Sequence, residues 1–183
     1  YVNGKEQVVL DPYGKAANAN GEYNFVIDFK KTYQMKNKPE FSGNPLDAII
    51  YETSIRDITS DENVSFNNPK KYLGFIEENI KTAKGYSAGL DYLVELGITH
   101  VQLMPFFDFE GIDEEFPETQ YNWGYNPSQY LVPEGSFATK PNDAYSRVNE
   151  LKMMIDKLHE KNISVVMDVV YNHVASASAS NFQ

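Results

Sequence analysis

Residues Ile163 to His173 read ISVVMDVVYNH. The apolar run from Ile163 to Val170 has almost no polar alternation, which is the pattern of a strand buried on both faces, as in a parallel sheet covered by helices. One carboxylate interrupts it. Asp168 sits among valines, where an ionised group is costly unless it is hydrogen-bonded or used in chemistry. Asn172 and His173 follow within a turn, and where parallel strands close into a barrel, polar residues at their C-terminal ends form the active site. A side-chain period of two puts Asp168 and Asn172 on one face and Met167, Val169 and His173 on the other. Asp168 and His173 therefore share a pocket only if the chain bends between them, so the strand is expected to finish near Val170 with His173 arriving from a loop. The residues alone leave a second reading, with Asp168 a structural acid holding loop amides and His173 a surface histidine.

Working back from this strand, Tyr145, Val148, Leu151, Ile155 and Leu158 are spaced by threes and fours, which predicts an amphipathic helix over 144–161, capped by Asn142. His159 falls off that stripe and is expected to face solvent. Strands are predicted at 99–105 and 48–53, the latter buried, with a helix over 87–96 stopped by Gly97. Residues 72–83 read as partly helical loop. The order strand, helix, strand, helix, strand implies parallel pairing through two successive crossovers. Between Phe106 and Pro141 no element is convincing, and so long an excursion points to function. Before residue 45 the pattern is β and loop. Val8 to Leu10 is a short strand, Asn20-Gly21 a hairpin turn, Tyr23, Phe25, Ile27 and Phe29 alternate as in an edge strand, and 30–44 reads as linker. The tract ASASAS at 175–180 is biased enough to be flexible.

The segment YNWGYNP at 121–127, taken with DVVYNH at 168–173, resembles the α-amylase clan of glycoside hydrolases, and within it the signature of type I pullulanases. The stretches AIIYETSIRD at 48–57 and VQLMPFFD at 101–108 resemble that family's first two barrel strands, and DPYGKA at 11–16 resembles the tail of the β-sandwich that precedes the barrel. The commonest family form has Asp where this chain has Asn126. The resemblance implies an α/β fold: residues 1–44 as the end of a β-sandwich-like domain with its linker, and 45–183 as the N-terminal part of a (β/α)8 barrel, with its first three strands and two helices. It implies an α-glucan substrate (pullulan, amylopectin or limit dextrin) and hydrolysis of α-1,6 linkages, with the remaining part of the barrel as partner. Tyr125 would stack on the sugar beside the scissile bond, His173 would hydrogen-bond one of its hydroxyls, and Asp168 would orient neighbours of the nucleophile. Asn172 matches a position that ligates calcium in some α-amylases. A single amide is a weak site for an ion that takes six to eight oxygens, so loop anchoring is the expectation there, and no cofactor is assigned. Asn122 is expected to satisfy backbone groups in the long loop, with Trp123 packing that loop.

Composition sets outer limits. With 16 basic and 26 acidic residues the formal charge is −10, which argues against a nucleic-acid partner, whose phosphates need a basic patch, and places no barrier before a neutral polymer. The 13 tyrosines and 11 phenylalanines suit either sugar stacking or an ordinary core. The chain has no cysteine, so thiolate metal sites and disulfides are excluded while the compartment stays undetermined, and no stretch is apolar enough for a membrane span. It begins at Tyr1 without Met, as an internal piece would. A full barrel takes about 250 residues, and retaining hydrolysis needs two carboxyl groups about 5 to 5.5 Å apart. In the resembled family those acids lie on later strands, so none is assigned here and the chain by itself is expected to be inactive. Rival readings are an isoamylase or branching-enzyme piece, and a glucan-binding module without chemistry. A nucleotide-binding α/β protein is disfavoured because TSIRDIT at 53–59, after the first strand, has no glycine for a phosphate.

Overall fold

A computed structural model describes residues 3–6, 8–41 and 43–176. Three short strands, β1 (Ile50–Thr53), β2 (His100–Leu103) and β5 (Ser164–Met167), form one parallel sheet in the order β1-β2-β5. The register aligns Ile50 with His100 and Ser164, and Thr53 with Leu103 and Met167. The helices are α1 (Tyr72–Phe75), α2 (Leu90–Leu96) and α3 (Ser146–Glu160). Gly97 closes α2 in the left-handed conformation at φ 72°, with its amide on the Val94 carbonyl. No closed barrel forms among the described residues.

Alternation along β2 decides which face is core. Val101 and Leu103 are fully buried and pack with Leu90, Leu93, Met154 and Leu158 from the helices. The other face carries Ile50, Glu52, Gln102 and Val166, and it is open: Ile50 is 57% exposed and Val166 37%. This corrects the expectation that β1 and β5 are buried on both faces. Such strands need cover on two sides, and among the described residues only the helical side is covered. β5 also ends at Met167 rather than near Val170, although the Asp168 amide still bonds the Leu103 carbonyl at 2.9 Å. No strand pairs with the far edge of β1 or β5 among the described residues. With bare ladder edges and the apolar side chains of Ile50 and Val166 exposed between them, the 183-residue chain is expected to self-associate. Light scattering should report oligomers, and a monodisperse monomer would contradict this.

The excursion at 106–141 contains two strands that its sequence did not announce. β3 (Phe107–Phe109) and β4 (Pro127–Pro133) pair antiparallel with register shifts on either side of Asp108. Asn142 does not cap α3, because its side chain accepts from the Ala19 amide at 3.0 Å. Tyr145 stands at the cap position without a side-chain bond, and Asp143 holds the turn before it, accepting from the amides of Tyr145 and Ser146, each at 2.9 Å.

The polar side of α3 is roofed rather than solvated. Asp156 accepts from the Tyr33 hydroxyl at 2.7 Å and from the amides of Lys36 and Asn37, each at 2.8 Å, so the segment read as linker lies along the helix. His159 is half-buried under the same segment, its Nδ1 3.4 Å from the Asn37 carbonyl. The Asn20-Gly21 turn forms, both residues at positive φ, but the alternating residues after it make a single bridge, Ala17 to Asn24, and Val26 is wholly exposed. Val8 to Leu10 is not a strand either. The biased tract at 175–180 lies, beyond Ser176, outside the described residues.

Candidate substrate-binding wall and its buried support

Tyr125, Asp168 and His173 meet at the C-terminal end of the sheet. The Tyr125 hydroxyl donates to Asp168 Oδ2 at 2.7 Å, and His173 Nε2 lies 2.7 Å from the Tyr125 carbonyl. A carbonyl oxygen only accepts, so Nε2 carries the proton. Burial, reinforced by the Asp168 carboxylate, pushes the Tyr125 hydroxyl up to about 12, so it stays a donor at any working pH. The bend expected between Asp168 and His173 is present, and Tyr130 of β4 fixes it by donating to the His173 carbonyl at 3.0 Å. Asp168 follows Ser164 and Val166 on the open face of the sheet, so all three residues border the space that the helices leave uncovered.

The 121–127 segment is built around amides. Asn122 donates to the Glu110 carbonyl at 2.8 Å and accepts from the Gly124 amide at 2.8 Å, and the Asn126 amide also donates to the Glu110 carbonyl. A carboxylate at 126 could not donate, so the asparagine is matched to this loop. Gly124 is required, with φ at 89° and the Pro105 carbonyl 2.8 Å from where a Cβ would be. Trp123 corrects the expectation of a packing residue. It is 62% exposed, because the loop turns its ring outward at the rim beside Tyr121. Asn172 is exposed, its Oδ1 3.3 Å from His173 Nδ1, and contacts no other candidate ligand.

Beneath this wall lies a charged core that sequence reading missed. Arg147 is fully buried and pairs with Glu114 at 2.8 Å and Asp108 at 3.2 Å. It also donates to the carbonyls of Asn18 and Pro133, each at 2.9 Å, and of Pro141 at 3.3 Å. Glu114 accepts from the amides of Asn20 at 2.7 Å and Gly135 at 2.8 Å, and buried Glu134 accepts from those of Phe109 at 3.0 Å and Ser136 at 2.8 Å. Gly135 admits no side chain, since its Cβ would fall 2.2 Å from a Glu114 oxygen. The cluster ties the 18–20 turn, the β3–β4 pair and α3 into one unit. Asp108, Glu114 and Glu134 bring carboxylate oxygens within 4.8 Å of one another, as a cation site would, but the Arg147 guanidinium already supplies the positive charge there. The sequence offered one hint, an acid between two phenylalanines at 107–109.

The cluster makes stability depend on pH. Burial, with Glu114 alongside, pushes the Asp108 carboxyl from 3.8 up to about 7, and Glu134 is also raised, first by burial and then by Glu114 and Asp108. A carboxyl whose folded pKa exceeds its unfolded value holds its proton more tightly in the folded chain. Its contribution is therefore complete below 3.8 and is lost as pH rises through about 7. Asp108→Asn keeps an acceptor for Arg147 and removes the titration. The stability difference between variant and wild type should shift in the variant's favour as pH rises from 4 to 8. Denaturant melts at the two pH values test this, and a difference that stays constant would contradict it.

Comparison with known proteins bears on this wall. The profile of the family described as "Alpha amylase, catalytic domain" matches residues 49–183. A pullulanase of Bacillus subtilis (strain 168) is 45% identical over 99% of this chain, and the chain spans 25% of that protein's length. The crystal structure of a pullulanase from Anoxybacillus sp. LM18-11, complexed with maltotriose, superposes at a TM-score of 0.91 with 45% identity, over 95% of this chain and 25% of that one. A pullulanase from Paenibacillus barengoltzii, in complex with maltohexaose and alpha-cyclodextrin, gives 0.90 at 39% identity over 95% of this chain and 28% of its own.

Proposed function

The chain belongs to the α-amylase catalytic-domain family, and from that premise we propose that it forms the N-terminal part of the barrel of a debranching hydrolase that cleaves α-1,6 linkages in pullulan, amylopectin or limit dextrins. Residues 45–183 are the barrel part and 1–44 the end of a preceding β-sandwich-like domain. The observation that carries the reading is the Tyr125–Asp168–His173 assembly on the open face of the sheet. Tyr125 offers a ring face to the C–H face of a sugar, with its hydroxyl committed to Asp168. His173, held through Nε2, leaves its ring edge beside that sugar for a hydroxyl. Asp168 takes a hydrogen bond from Tyr125 and is placed to orient groups arriving from later strands. Retaining hydrolysis would be completed by a nucleophile and an acid/base from those strands, about 5 to 5.5 Å apart. The pullulanases that superpose on the chain, two of them in complex with maltooligosaccharides, support the glucan assignment.

The test compares the purified 183-residue chain with the complete protein on pullulan. Reducing ends should appear only with the complete protein. Release by the chain, above a denatured control and abolished by Asp168→Ala, would overturn the division of labour. Exposed Tyr121 and Trp123 also suit a glucan-binding module without chemistry, and a complete protein that binds pullulan without cutting it would establish that reading instead.

A further inference from the structure

A cavity of about 360 Å³ opens between the loop after β1, the 112–118 stretch and the 136–139 turn. Its lining holds Arg56, Lys70 and Lys71 against one acid, Glu118, a local excess of two positive charges in a chain of net −10. The hydrogen bonds of the three cations go to backbone carbonyls. Arg56 and Lys70 both donate to the Glu118 carbonyl, at 3.4 and 3.3 Å, and Lys71 donates to the Ser136 carbonyl at 2.7 Å. None of the three has a carboxylate within ion-pair distance among the described residues. Each therefore keeps spare N–H donors, for which an oxyanion is a stronger partner than a carbonyl. Burial also holds the Lys71 ammonium below its ordinary value, against the opposing pull of the carboxylates of Glu118, Glu150, Glu134 and Glu114. The floor is apolar, formed by Ile112, Pro117 and the edge of Phe137.

We propose that this cavity binds a phosphate monoester carried on a glucan. A monoester carries about −1.5 to −2 charges at pH 7, which matches the local excess, and the apolar floor suits the C–H face of the sugar that bears it. The cavity adjoins the wall described above, since the Arg56 guanidinium sits 5.1 Å over the Tyr121 ring in the same segment as Tyr125. The sugar half of the proposal rests on the glucan reading; the anion half does not.

Calorimetric titration of the complete protein with glucose 6-phosphate, glucose and inorganic phosphate tests both halves. Glucose 6-phosphate should bind, inorganic phosphate should bind more weakly, and glucose should bind no differently to wild type and variants. Lys70→Asn suits the left-handed backbone there, at φ 64°, and Lys71→Gln removes the other ammonium. Each should weaken glucose 6-phosphate by about tenfold or more and leave pullulan hydrolysis unchanged. No binding of glucose 6-phosphate, or binding that neither variant weakens, would overturn the proposal. Inorganic phosphate binding as tightly as the ester would overturn its sugar half. Failure of the wild type to hydrolyse pullulan would count against the glucan reading instead.

Discussion

Tyr125→Ala in the complete enzyme is expected to lower kcat/KM on pullulan by on the order of 10²-fold, with the melting temperature nearly unchanged. The ring is half-buried at the edge of the open face, so its loss leaves little cavity, whereas a sugar without its platform shifts relative to the reacting groups. Tyr125→Phe separates ring from hydroxyl. It keeps the platform but strands Asp168 Oδ2 without the donor now 2.7 Å away, and an intermediate loss of about tenfold is expected. If the alanine variant cut pullulan at the wild-type rate, or failed only because it melted early, Tyr125 would be a packing residue.

Arg147→Met should cost about 3 to 5 kcal/mol of folding stability, the expected penalty for stripping the cation from a buried ion pair. Methionine fills much of the volume but supplies none of the N–H donors on Glu114, Asp108 and the three backbone carbonyls. Two of those groups belong to separate parts of the chain, Asn18 and Pro133, so the 18–20 turn should loosen together with the β3–β4 pair. The loss should shrink at acidic pH as the orphaned carboxyls take up protons. Equilibrium denaturation at pH 5 and pH 8 measures it, and a cost below about 1 kcal/mol at pH 8 would mean that the cluster contributes little.

The parallel sheet and its helices were legible because period alone specifies them. Tyr145 to Leu158 fixes α3, and the apolar run from Val165 to Met167 fixes β5. What the pattern could not report is which faces stay covered. A fully apolar strand reads as buried on both sides whether or not its neighbours are present, and Ile50 and Val166 are open for that reason. The β3–β4 pair was hidden because β3 has three residues, β4 begins and ends with proline, and the ladder shifts register twice. Asn142 does not cap the helix, because a distant amide, Ala19, captured its side chain. Of the site, the bend before His173 followed from the period of two, but the Tyr125–Asp168 bond spans 43 residues and is purely tertiary. The Arg147 cluster was least legible of all, its ion pairs spanning 33 and 39 residues with only the acid between two phenylalanines at 107–109 as a local hint.

The products released from pullulan by the complete protein test the central claim most directly. Pullulan consists of maltotriose units joined by α-1,6 bonds, so a wall that presents the branch-point sugar for α-1,6 cleavage predicts maltotriose as the limit product, released by wild type and nearly lost in Tyr125→Ala. Products that retain an α-1,6 bond, or no products at all, would contradict it.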